Sequence, residues 1–352
     1  MYKKSMIPLT DVSLQVLSTN QALDQALDSD IDSEPASWQR IVNESIRDIS
    51  ALLNALALPD QSHYSNFPIL VPTPYLARIE RGNLNDPLLK QVMSSAKELD
   101  DIPGYVEEPL QESTFAKTTG LIQKYHGRVL LIVTGSCAIN CRYCFRRHFP
   151  YQKFQPTSQD WQRIIDELIS DTSINEVILS GGDPLMMSDK RLKWIIQQLE
   201  TVPHIDTVRI HSRLPVVIPQ RITKTLIETL VESRLKAVLV THINHPQELD
   251  EAVSNAMLAL QRADVLLLNQ SVLLKDINND AEVLSTLSRK LFKANILPYY
   301  LHALDPVAGA AHFDVPDKEA EAIMSILRAS LPGYLVPKLV REVPGQPSKS
   351  PL

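Results

Sequence analysis

The stretch RVLLIVTGSCAINCRYCFRRHF, residues 128–149, decides the fold. Val129 to Thr134 is a short run of β-branched and aliphatic residues, which reads as a buried strand. Cys137, Cys141 and Cys144 follow it at once. Five more runs of the same character lie downstream: VILS (177–180), TVRIH (207–211), AVLVT (237–241), VLLLN (265–269) and LPYYLH (297–302). Their successive starts, counted from Val129, are 48, 30, 30, 28 and 32 residues apart, close to the length of one βα unit. Trp161, Ile164, Ile165, Leu168 and Ile169 mark one of the intervening helices. Six such units predict an α/β fold, a partial (β/α)6 barrel, although an open doubly wound sheet gives the same rhythm. Either architecture places its site at the carboxyl ends of the strands.

Upstream, residues 1–124 show no strand rhythm and read as a mainly helical region. Trp38, Ile41, Val42, Ile46, Ile49, Leu52, Leu53 and Leu56 recur at helical spacing, and Pro87 suits the first turn of a helix running through Val92. The barrel is expected over 125–335 and a C-terminal segment over 336–352.

A chain of 352 residues, 44% hydrophobic, is long enough for one large core and a smaller accessory domain. A net charge of -6 with no basic stripe argues against nucleic acid or an anionic membrane as partner. The start, MYKKSMIPLTDVSLQ, has no continuous apolar stretch, and Ala51 to Leu58 is too short to span a bilayer. Three cysteines within eight residues cannot make a disulfide framework, which points to a reducing cytoplasm.

Three thiolates on one loop suit a 4Fe-4S cluster in which one iron keeps no protein ligand and is free to chelate a small molecule. Zinc competes, but it wants four closed ligands, and the nearest histidine, His148, sits in an arginine-rich segment beyond the loop. Ser180-Gly181-Gly182-Asp183-Pro184 follows the second strand, where glycines either let backbone approach a ligand or merely make a strand-end turn.

The CxxxCxxC motif after the first strand of a βα array resembles the radical S-adenosylmethionine superfamily over about residues 125–345. A narrower resemblance, to the lysine 2,3-aminomutase family, rests on CRYCFRRHF (141–149), EPLQE (108–112), YHGRVLLIVTG (125–135), THINHPQE (241–248), NQSVLL (269–274) and HALDPVAGAAHF (302–313). It implies an isomerase with three cofactors: the cluster on the three cysteines, S-adenosylmethionine, and pyridoxal 5'-phosphate. S-adenosylmethionine is then expected at Ser180, Gly181, Gly182, Asp183, His242 and Gln270. Pyridoxal phosphate is expected on Lys349, whose string PGQPSK (344–349) resembles the family's PGGGGK with three glycines replaced; Lys338 is the fallback. Arg128 and Arg213 are the candidates for its phosphate. For a lysine substrate, Arg146 is expected at the carboxylate and Asp305 and Glu342 at the ε-ammonium, with Glu342 standing where the family generally has Asp.

The implied reaction is a 1,2-amino shift from L-α-lysine to β-lysine, driven by hydrogen abstraction at Cβ and fed by a cellular one-electron reductant. With no fourth cysteine, and with VPTPYLARIERGNLNDPLL (71–89) and FRRHFPY (145–151), the chain resembles the short members that make (R)-β-lysine for a ligase acting on elongation factor P. A catabolic enzyme on free lysine is the close alternative. A non-catalytic iron–sulfur or zinc protein is the distant one.

Overall fold

The structure is a computed structural model and describes residues 37–60 and 65–352. Its centre is one ten-stranded sheet: β1 (Ala116–Thr118), β2 (Leu121–Tyr125), β3 (Arg128–Thr134), β4 (Glu176–Gly181), β5 (Thr207–Ser212), β6 (Lys236–His242), β7 (Leu266–Val272), β8 (Leu297–His302), β9 (Lys338–Arg341) and β10 (Ser350–Pro351). Strands β3 to β9 are parallel, each paired to the next in sequence. A doubly wound sheet reverses its strand order at a switch point, whereas this order never reverses, so the partial barrel is the correct alternative.

All six apolar runs are strands, to within a few residues. Four strands were not legible. Strands β1 and β2 form an antiparallel edge on β3, inside the region read as helical. In β2 the adjacent Leu121 and Ile122 are both buried, so the strand lacks the alternation that announces one. Strand β9 is a four-residue addition beside β8, and β10 folds back on it antiparallel.

Six helices make the parallel crossovers: α3 (Ser158–Ser170), α4 (Asp189–Glu200), α5 (Lys224–Val231), α6 (Glu251–Arg262), α7 (Ala281–Lys293) and α8 (Asp317–Ser330), preceded in the chain by α1 (Ser37–Asn43) and α2 (Ile49–Ala55). Helix α3 shows why they form. Asp160 accepts hydrogen bonds from the Thr157 backbone N–H at 2.9 Å and its hydroxyl at 2.7 Å, which fixes the first turn. Trp161, Ile164, Ile165 and Leu168 then bury one face against the sheet, each contributing about 1.5–3 kcal/mol. Ile169, expected on that face, is exposed.

The helical spacing over 37–58 is not one helix. It breaks where Ile46 pairs with Val71, and Asp48 caps a new helix by accepting from the Ala51 N–H. The turn at Pro87 ends at Lys90, short of Val92. The expectation for residues 1–36 and 61–64 lies outside the described residues.

Candidate active site

Side chains from each of β3 to β8 line one cavity of about 620 Å³ in the barrel. It takes in the three cysteines, Arg146, Asp305, Glu342 and Lys349, from three separate stretches of sequence. No helix among the described residues is long and apolar enough to cross a membrane.

The cysteine loop leaves β3 and is clamped from behind by residues 65–98. Arg142, fully buried, donates through Nε to Glu98 at 2.8 Å, pairs with it again through Nη2, and donates through Nη1 to the Phe67 and Pro68 carbonyls. Arg147 reaches the same Glu98 carboxylate at 2.7 Å. Two guanidiniums outweigh the burial of Glu98 and hold its carboxyl below the usual range. This segment carried no chemical signal in sequence, because its function is to hold another loop.

Burial, reinforced by the neighbouring Cys144, raises the Cys137 thiol, and burial with Cys141 beside it pushes Cys144 up to about 11. Three cysteines on one cavity wall fit a resident cationic centre, which would hold them as thiolates. A single zinc ion would draw ligands to one point at about 2.3 Å. Among the described residues no three His, Cys, Asp or Glu side chains are disposed that way, so the loop fits a multi-iron cluster better than zinc.

The GGD segment lies against this loop. A Cβ on Gly181 would sit 2.2 Å from the Thr134 carbonyl oxygen, and one on Gly182 2.4 Å from that of Ser136. Backbone packing already requires both glycines. Asp183, expected at S-adenosylmethionine, lines the cavity and also braces the fold. Its carboxylate accepts from the Ser212 hydroxyl at 2.7 Å and from the Leu185, Arg213 and Leu214 backbone N–H groups. His242 and Gln270 are register partners on β6 and β7 and line the cavity. The Tyr143 hydroxyl lies 2.9 Å from His242 Nε2, and burial, then the charge of Arg213, brings that imidazole down to about 3, so it is neutral.

A ladder of alternating charge crosses the other side. Arg146 donates to Glu112 through Nε at 2.6 Å and Nη2 at 2.9 Å; Lys124 lies 3.1 Å from Glu112 and 2.8 Å from Glu342; Glu342 accepts in turn from Lys349. Nη1 of Arg146 donates to Ser180 Oγ and the Gly181 carbonyl. Of its five N–H groups, four are engaged and one on Nη2 remains for a ligand. Glu112 and Lys124 were missed in the sequence, although Glu112 ends the EPLQE string. Burial alone would raise Glu342, but Lys349 and Lys124 outweigh it and hold it at about 2. Asp305 has no ion-pair partner among the described residues, and burial, then the nearby Glu342, pushes it up to about 7.

Arg213 directs Nη1 and Nη2 to Glu248, Gln91, Tyr143 and Cys141, all within 3 Å, and only its Nε is left without a partner. Arg128 lines the cavity, stacked 4.7 Å over the Tyr125 ring. With it stand Arg209, whose Nε is buried without a partner, and His211, whose Nε2 is likewise orphaned. An unsatisfied buried guanidinium N–H is costly unless a ligand accepts from it, so this end of the cavity fits an anionic group such as the phosphate of pyridoxal phosphate. Lys338 is exposed on β9, whereas Lys349 is in the cavity, so the geometry favours Lys349 over the fallback.

Residues 131–256 match the radical SAM superfamily. The chain is 48% identical over 324 residues to the L-lysine 2,3-aminomutase of Escherichia coli, covering 92% of each chain. It is 47% identical over 323 residues to that of Haemophilus influenzae, covering 90% of this chain and 96% of the relative. With the Clostridium subterminale L-lysine 2,3-aminomutase it shares 40% identity over 281 residues, 79% of this chain and 67% of that one. A cysteine loop on the first parallel strand, a lysine in the same cavity and identity over nearly the whole described barrel agree: the chain belongs to the L-lysine 2,3-aminomutase family of radical SAM enzymes.

Proposed function

We propose that this isomerase converts L-lysine to (R)-β-lysine for a ligase that modifies elongation factor P. The observation that carries the reading is the cavity itself, which puts Lys349, two carboxylates and Arg146 within one chamber with the three cysteines. Family membership brings the 4Fe-4S cluster, S-adenosylmethionine and pyridoxal phosphate; the first two supply a hydrogen-abstracting radical and the third activates the migrating nitrogen.

The chain's own residues then divide the work. Cys137, Cys141 and Cys144 hold the cluster. Ser180, Gly181, Gly182, His242 and Gln270 surround S-adenosylmethionine, with Asp183 behind them. Lys349 carries pyridoxal phosphate, and Arg128 and Arg209 face its phosphate. The remaining Arg146 N–H orients the substrate carboxylate. Glu342 and Asp305, which line the same cavity as Lys349, would receive the ε-ammonium of lysine. The enclosing barrel walls exclude water and oxygen from the reacting carbon. A cytoplasmic location follows from the role in elongation factor P modification.

Anaerobic protein loaded with iron, sulfide and pyridoxal phosphate, given dithionite, S-adenosylmethionine and L-lysine, should yield β-lysine resolved by chiral chromatography with mass detection. Cys141→Ala and Lys349→Ala should abolish it. Cleavage of S-adenosylmethionine with lysine untouched would overturn the substrate. Deletion of the gene should also remove the β-lysyl mass from elongation factor P; if that mass persists, the catabolic reading replaces this one.

A further inference from the structure

Arg213 follows β5 directly and is almost completely buried, yet nothing in the substrate or pyridoxal phosphate chemistry uses it. Its Nη1 lies 2.7 Å from Cys141 Sγ and 2.8 Å from the Tyr143 hydroxyl. Its Nη2 donates to Gln91 Oε1 at 2.7 Å and Glu248 Oε2 at 2.9 Å. Glu248 is itself fixed, accepting through Oε1 from the backbone N–H groups of Asn244 and His245. The guanidinium therefore cannot swing away from the sulfur without leaving a buried carboxylate unpaired. Among the described residues Cys141 alone of the three cysteines accepts a side-chain hydrogen bond.

We propose that Arg213 is a positioning residue that sets the reduction potential of the iron–sulfur cluster by holding a fixed positive charge and a hydrogen bond on the Cys141 thiolate. Reduction adds one negative charge to the cluster. A permanent cation in a water-poor site stabilises that form more than the oxidised one, and hydrogen bonds to cluster sulfurs act in the same direction. Glu248 opposes Arg213 electrostatically while fixing its position, so the pair sets the potential as a difference of two charges. Removing either member then has a predictable and opposite sign, which a purely structural brace would not produce.

The inference rests on the cluster assignment, and the test separates the two. Midpoint potentials are measured by EPR-monitored redox titration on anaerobically loaded wild type, Arg213→Gln, Arg213→Lys and Glu248→Gln, without S-adenosylmethionine. Arg213→Gln is expected to lower the potential by about 60 mV, a tenfold loss in the one-electron reduction equilibrium. Arg213→Lys should fall between it and wild type, since charge is kept but the fork is lost. Glu248→Gln should raise the potential. An unloaded wild type would sink the cluster assignment itself. Normal cluster content with unmoved potentials, shifts of one sign in both Gln variants, or loss of loading in every variant would leave Arg213 as a structural brace and overturn the proposal. So would a change confined to S-adenosylmethionine affinity.

Discussion

The Lys124 ammonium lies 2.8 Å from Glu342 Oε1, across 218 residues of sequence, and 3.1 Å from Glu112 on its other side. One lysine on β2 thus ties the C-terminal segment to the residue that pairs with Arg146. Both carboxylates are nearly buried, so each needs this cation.

Replacing Lys124 with Met should therefore do more than remove a surface charge. It leaves two buried acids with one fewer partner each, and breaking such a pair costs about 3 kcal/mol. Urea denaturation should show a lower midpoint with an unchanged slope. Lys124→Arg should recover most of the loss. If Met at this position is neutral, the ladder does not contribute to stability.

Lys349 and Lys338 are separated by a second experiment. Borohydride treatment of protein loaded with pyridoxal phosphate should fix the cofactor mass on the peptide carrying Lys349. Lys349→Ala should lose both the label and activity, while Lys338→Ala, on the exposed side of β9, should keep both. Label on Lys338 would reverse the assignment.

The contrast between these lysines also shows what the sequence could convey. The parallel strands were legible because each is a buried apolar run ended by a polar crossover, and the cysteines because their spacing is a ligand pattern. Glu98, Glu112 and Lys124 were silent because a lone charge in sequence looks the same whether it faces solvent or a partner distant in the chain. The surroundings of Arg213 were silent for the same reason: its position after a strand was clear, but its partners Gln91 and Glu248 are distant in sequence.

Asp305 makes binding of a cationic substrate pH-dependent. Its carboxyl is raised to about 7 in the empty site, so below that pH the proton must leave before an ammonium can pair with it. The KM for lysine should fall as pH rises through about 7, and Asp305→Asn should flatten that dependence. The stability effect has a definite sign. An acid raised from about 4 in the unfolded chain favours folding fully below that value and loses this contribution as pH rises through about 7. Asp305→Asn should therefore be relatively more stable than wild type at pH 8 than at pH 5 in urea titrations. A KM independent of pH in wild type would remove Asp305 from the ammonium site.

Glycine requirements differ sharply between the two ends of the cavity. Gly181 has φ +127° and its missing Cβ leaves room for the Thr134 carbonyl, so Gly181→Ala must displace the backbone that begins the cysteine loop. The expected result is poor iron loading and a stability loss of about 3 kcal/mol or more, by the combined clash and strain. Gly345, the one glycine kept in PGQPSK, has φ +81° but open space where a Cβ would stand. Gly345→Ala should cost only about 1 kcal/mol of backbone strain and leave the cluster signal intact. Gln346, Pro347 and Ser348 have no positive φ, which is why three glycines can be replaced there without misplacing Lys349. Iron content and borohydride labelling measured on the two alanine variants decide the matter: equal losses in both would mean that the C-terminal turn is as demanding a constraint as the β3–β4 backbone contact.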